Sequence, residues 1–175
     1  MDYFPKTNKW LIPKVALDRS REEMALDGCH GNEGTSLWLG TKEHGGARLT
    51  HLVFLRGAGI HKSPLNITVA PELMREVHEQ AQAVGAILIG QIHSHSRHCG
   101  VDLSPTDHTY GVRVPYFLSI VYPDFAQFTS TSILDCGVHV FLPNQGFVRL
   151  STREIKRQIV VDPELPITTV IVGDI

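Results

Sequence analysis

Apolar positions along the chain switch between helical and strand spacing, and the switches divide it into elements. Pro71 to Val84 has the clearest helical pattern: Leu73, Val77, Ala81 and Val84 recur along one face. Pro71 suits the first helical position, Glu72 the positive end and Gly85 the C-terminal cap. Pro13 to Asp27, closed by Gly28, reads as a first helix with weaker periodicity. Thr35 to Leu39 and Ala47 to Arg56 read as antiparallel strands joined across Gly45-Gly46. A loop containing Gly, Pro and Asn spans 57–70. Ala86 to Ile92 is too short for a helix and too apolar for a half-exposed strand, so it reads as a buried central strand. A short helix near 105–112 follows, then strands near 117–122, 131–134, 137–142 and 146–150. A charged helix, Thr152 to Gln158, precedes a last apolar segment, Ile167 to Val172. The order predicts a mixed α/β (α+β) fold, in which helices pack on a mixed sheet.

Length and composition narrow this picture. At 175 residues, the chain is expected to form one domain over 1–175, with a core of about 12–150 and a C-terminal extension over 151–175. Trp10 to Pro13 and Val160 to Ile175 fit either core or contact segments. A net charge of −2, with scattered Lys and Arg, provides no footprint for nucleic acid or an anionic membrane. The cluster from Arg153 to Arg157 is interrupted by Glu154 and Ile155 and reads as a solvated helix face. Three cysteines without a C-x-x-C pair point to reduced thiols. Met1 to Asn8 has no apolar core of signal-peptide length, and no run reaches the ~18 apolar residues of a membrane span. The expectation is a soluble, cytoplasmic protein.

The chemistry is concentrated in His93-Ser94-His95 and Ser104-Pro105-Thr106-Asp107, directly after the buried strand. Residues i and i+2 of a strand share a face, so His93 and His95 can converge on one ion. Asp107 would complete three protein ligands and leave a fourth position open, as in catalytic rather than structural zinc sites. Ser-x-x-Asp is also a helix capping box, with Ser104 at the N-cap and Pro105 at the first helical position. The two readings are compatible, because the cap builds the helix start that holds Asp107. Other zinc signatures are missing. His78-Glu79 lacks the second histidine of a zincin helix and reads as a surface pair, and the paired motifs of a zinc deaminase are absent.

A glutamate, then His-x-His, then Ser-x-x-Asp on this order of elements resembles the JAMM (MPN-plus) metalloprotease family over roughly Gly28 to Leu150. The segment from Leu118 to Asp124 is similar to the strand after the site in bacterial stand-alone members. Two features depart from the family pattern. Eight residues separate His95 from Ser104, where seven are usual, and Ser96 stands where a proline usually follows the second histidine. The resemblance implies a mixed sheet flanked by helices and one Zn2+ per chain held by His93, His95 and Asp107. It also implies Glu33 as general base, ahead of a strand ending at Gly40, with Glu43 as runner-up. By the same analogy Ser104 donates to the tetrahedral oxyanion; if Ser104 instead caps the helix, the metal alone polarises the carbonyl. His108 reads as a plain helix residue. His98 and Cys99 offer no second metal site, because 108–116 leaves no room for the insertion that carries one in some relatives.

The implied activity is a zinc-dependent isopeptidase or peptidase cutting after the C-terminal glycine of a ubiquitin-like protein. The implied partners are that protein, its conjugates and E1- and E2-like enzymes of the same operon, in a bacterial antiviral conjugation system, without nucleic acid or membrane. The tail would lie extended beside a strand edge, with 57–70 ordering over it. The alternatives are a peptidase trimming sulfur-carrier proteins and a non-catalytic MPN-type scaffold.

Overall fold

The computed structural model describes residues 6–43, 45–127, 130 and 132–174. Strand β1 (Lys9–Pro13) leads into helix α1 (Lys14–Gly28), with Pro13 as the residue that ends one and caps the other. Then come β2 (Thr35–Glu43), β3 (Gly46–Leu55), β4 (Ile60–Lys62), β5 (Ile67–Val69), α2 (Pro71–Ala83) and β6 (Ile87–Ser94). Helix α3 (Pro105–Tyr110), β7 (Leu118–Tyr122), β8 (Gly137–Leu142) and β9 (Gly146–Arg149) follow. The described chain closes with α4 (Thr152–Gln158), β10 (Ile159–Asp162) and β11 (Thr168–Val172).

The main sheet runs β10-β1-β3-β2-β6-β7-β8-β9, and β11 also pairs with β3. It is mixed: β6 is antiparallel to β2 and parallel to β7. Alternation along each strand sends neighbouring side chains to opposite faces. Trp38, Ile92, Ile120 and Val138 face a core shared with Ala16, Leu17 and Met24 of α1. Leu37, Leu39, Val53 and Leu55 face the other way, onto Leu73, Val77 and Ala81 of α2. The predicted apolar stripe of α2 is thus the surface that covers the second face, except for Val84, which is exposed beyond the helix end.

Four expectations are corrected. The loop over 57–70 contains an antiparallel pair, β4 and β5, too short to show as periodicity. The strand expected near 131–134 is absent from the described part of that range; Ile133–Asp135 is a single 3-10 turn capped by Ser132, and residue 131 lies outside the described residues. Strand β2 does not end at Gly40. It continues to Glu43 past an irregularity at Leu39/Gly40 that preserves pairing with β3.

The C-terminal segment is not an appendage, since β10 pairs in parallel with β1, and β11 with β3. Ile155, Ile159 and Val172 are buried with the rest of the core. Trp10 and Ile12, on β1, are core residues as well. Cys29, Cys99 and Cys136 are free thiols. No helix among the described residues is long and apolar enough to cross a membrane.

Candidate metal centre

Strand β6 delivers both histidines to the face that α2 covers further along. His93 lies opposite Thr35 of β2 and Val121 of β7, and His95 follows just beyond the strand end. Both rings are buried and meet edge to face with centroids 4.9 Å apart. Their Nε2 atoms are 3.1 Å apart. Asp107 closes the figure, with Oδ1 3.5 Å from His93 Nε2 and Oδ2 3.3 Å from His95 Nε2.

These three edges test whether a metal fits. With Zn–N bonds of ~2.0–2.1 Å, adjacent ligands of a tetrahedral site stand ~3.3–3.4 Å apart. The observed triangle of 3.1, 3.3 and 3.5 Å has the dimensions of one face of that tetrahedron. Both Nε2 atoms converge on this space, while Nδ1 of each ring is buried without a hydrogen-bond partner. The donor set suits a divalent transition metal such as zinc, and the residues present fit one ion. Among the described residues no other group of three His, Cys, Asp or Glu converges in this way.

Helix α3 explains how Asp107 reaches the triangle. Ser104 Oγ accepts from Asp107 N at 3.1 Å, and Asp107 Oδ2 accepts from Ser104 N at 2.7 Å, which is the full capping box. The sequence expectation set capping against oxyanion donation as alternatives, but a hydroxyl accepts through its lone pairs and keeps one proton to donate. Ser104 caps as an acceptor, so capping alone does not consume its O–H. Burial opposes ionisation of Asp107, but bonds from His93, His95 and Ser104 outweigh it and hold the carboxyl well below the usual range. Burial likewise disfavours charge on His95, yet Asp107 and Glu33 raise its pKa above the ordinary value. The Gly100 carbonyl also lies near enough to the ring to favour that charge, without a hydrogen bond of ordinary geometry to Nδ1.

Glu33 sits on the link between α1 and β2 and is 6% exposed. Burial lifts its pKa to about 7, with His95 opposing the shift and Asp107 adding to it. Glu33, His93, Ser104 and Asp107 line one cleft of about 480 Å³, and His95 is not among its lining residues. Strand β5 with the turn before it lines one part of the cleft, and α3 with Ser104 another. Leu37, Leu65, Ile67, Val69, Met74 and Val112 make the lining largely apolar. Glu43 is not among the lining residues, and His78 is a surface residue next to Gln82. His108 stacks edge to face on Phe147, away from the ligand set.

Sequence reasoning missed what holds Glu33 in place. Ser94, between the two ligands, points to the opposite face and is fully buried. Its Oγ accepts from Gly34 N at 2.9 Å, and its own N–H donates to Gly34 O at 2.9 Å. The strand that carries the ligands therefore also clasps the residue next to the glutamate. Gly34 cannot be replaced cheaply, because a Cβ there would lie 2.6 Å from Met24 Cα. Glu33 N donates to Ser63 O at 2.9 Å, tying the same link to the β4–β5 turn. That turn is fastened to α1 by a Lys62–Asp27 ion pair of 2.7 Å.

On the other side, Asp124, Phe125 and Ala126 take successive left-handed conformations, with φ of 53°, 52° and 58°. Phe125 N meets His95 O at 2.7 Å. Each such residue costs ~1–2 kcal/mol, which buried Ala126 and the backbone contact to His95 help to offset.

No protein-family model matches the sequence, and no curated protein does either. Solved structures do share the fold. One is the solution structure of a protein from Desulfitobacterium hafniense, with TM-score 0.65 and 13% identity, covering 89% of this chain and 94% of that one. Another is the solution structure of a protein from Salinibacter ruber, with TM-score 0.51 and 20% identity, covering 90% and 95%. At these identities the likeness concerns the fold alone.

Proposed function

We propose that the protein is a JAMM-type zinc-dependent isopeptidase or peptidase that cuts after the C-terminal glycine of a ubiquitin-like protein. The observation that carries this reading is a zinc-sized triangle of His93, His95 and Asp107 with buried Glu33 in the same cleft. A zinc ion held there supplies Lewis acidity toward a carbonyl and toward water. Glu33, buried in the same cleft, takes a proton from water and returns it to the leaving amine. Ser104 O–H donates to the oxyanion that develops on the carbonyl. The cleft is largely apolar around these groups, and β5, which pairs only with β4 among the described residues, offers a strand edge to an extended tail. Partners in this reading are the ubiquitin-like protein, its conjugates and E1- and E2-like enzymes, in a cytoplasmic antiviral conjugation system.

Metal content comes first. Purified wild type should hold close to one zinc per chain after brief exposure to a weak chelator, and His95→Ala should lose it. A ubiquitin-like protein joined through its terminal glycine to a lysine side chain is then the substrate. Glu33→Ala should keep the zinc and lose cleavage. Full activity in Glu33→Ala would remove the base from the scheme, and failure of wild type to retain or regain metal would leave the scaffold reading in its place.

A further inference from the structure

The segment between His95 and Ser104 connects two parts of the centre, and it is fastened to the sheet at a point between them. A row of polar side chains crosses four strands on the face that carries His93. Gln91, Ser119, His139 and Arg149 are successive cross-strand partners on β6, β7, β8 and β9. Gln91 Nε2 donates to Ser119 Oγ at 3.3 Å. At the far end, Arg149 Nη1 forms an ion pair with Asp102 Oδ1, and buried His139 presents Nε2 4.0 Å from the same oxygen. The backbone beside Asp102 is seated just as closely. Val101 O lies where a Cβ on Gly137 would be, at 1.7 Å, so only glycine admits the loop at that point. Leu103 is buried next to it.

From this seat the chain runs to the centre in both directions. Back along the loop it returns to the metal ligand His95. Two residues on is Ser104, the cap of the helix that carries Asp107. We propose that Asp102 is a positioning residue for the metal centre: gripped by Arg149 and facing His139, it fixes the 96–103 loop between His95 and the Ser104 cap. This inference rests on the metal reading of the triangle and adds a group that touches neither metal nor substrate. Burial, the largest influence, and Arg149 both keep His139 neutral, with its pKa lowered to about 4. The charge that answers Asp102 is therefore that of Arg149. An exposed ion pair is ordinarily worth little to stability, so a function in positioning and a function in stability separate experimentally.

The test uses the full chain stripped of metal and titrated with Zn2+ against a chromophoric chelator, then with Co2+ to record visible absorption. Asp102→Asn, Arg149→Ala, Arg149→Lys and the double variant Asp102→Asn/Arg149→Ala are compared with wild type. Disturbing groups around metal ligands lowers affinity ~10–100-fold. We expect about tenfold weaker zinc binding and an altered cobalt spectrum in Asp102→Asn and Arg149→Ala. The double variant should lose no more than either single, Arg149→Lys should recover most of the affinity, and the melting temperatures of the metal-free proteins should be nearly equal. Wild-type affinity and spectrum in both singles would overturn the proposal, as would lowered melting with unchanged affinity. A wild type that binds no zinc would overturn the metal reading itself, an outcome distinct from variants that bind like wild type.

Discussion

Glu33→Gln should stabilise the metal-free protein, and by an amount that depends on pH. The carboxyl titrates at about 7 in the folded chain against an ordinary 4.5, chiefly because it is buried. Below the lower value it is protonated in folded and unfolded chains alike, and glutamine is a fair copy. Between the two values the folded state binds the extra proton, so wild-type stability falls as pH rises through this window. Above about 7 the full cost of a buried carboxylate is present. At about 1.4 kcal/mol per pH unit, the gap amounts to at most about 3.5 kcal/mol. Water in the cleft screens part of it, leaving ~1.5–3 kcal/mol.

Urea denaturation of chelator-treated wild type and Glu33→Gln at pH 4.5 and pH 8 measures this directly. Nearly equal stabilities at the lower pH and a variant advantage at the higher are expected; a chain of this length gains roughly 2–4 °C in melting temperature per kcal/mol. The difference between the two proteins cancels groups that titrate alike in both. A gap of the same size at both pH values would refute the idea that Glu33 is held at a destabilising carboxylate position. Such a cost is what a base retained for chemistry rather than stability would show.

Ser94→Ala should cost ~1–3 kcal/mol in the same assay, since the buried Gly34 N–H loses its acceptor. Zinc content should survive, and a loss of metal as complete as in His95→Ala would contradict the assignment of Ser94 to the Glu33 link. Zinc affinity should fall as pH drops from 8 to 6, approaching about tenfold per pH unit once His95, whose pKa lies above its ordinary value, holds a proton that the metal must displace. Competition titrations at three pH values, with calorimetry in two buffers to count released protons, check this; a flat profile would show that no proton occupies the triangle.

Much of this was legible in the chain because it depends on local spacing. His93 and His95 share a face by strand geometry alone, Ser104 and Asp107 spell a cap, and the stripe of α2 fixes which surface it covers. The parts that did not show depend on partners distant in sequence. Ser94 looks like a spacer until Gly34 is laid against it, and Asp102 is one exposed acid until Arg149 arrives from β9. Strands β4 and β5 have three residues each, below the length at which alternation can be seen. Ile133-Leu134 has strand composition, but Ser132 caps it as a turn. The segment over 151–175 carries no signal of its parallel pairing, because strand pairing across the whole chain leaves no local pattern.

The seating of β1 between β3 and β10 bears on how the protein is made. Trp10 pairs in register with both Ala47 and Ile159, so the N-terminal strand acquires its second neighbour only when almost all of the described chain exists. Residues 33 to 107, by contrast, hold the full ligand triangle and Glu33 within the middle of the chain. During synthesis, β2, β3 and β6 can pair and gather the two histidines while the outer edge of Lys9–Pro13 still waits for its partner. The zippering of that edge, like the pairing of β11 with β3, would then come late in maturation, long after the polypeptide has acquired the means to capture an ion.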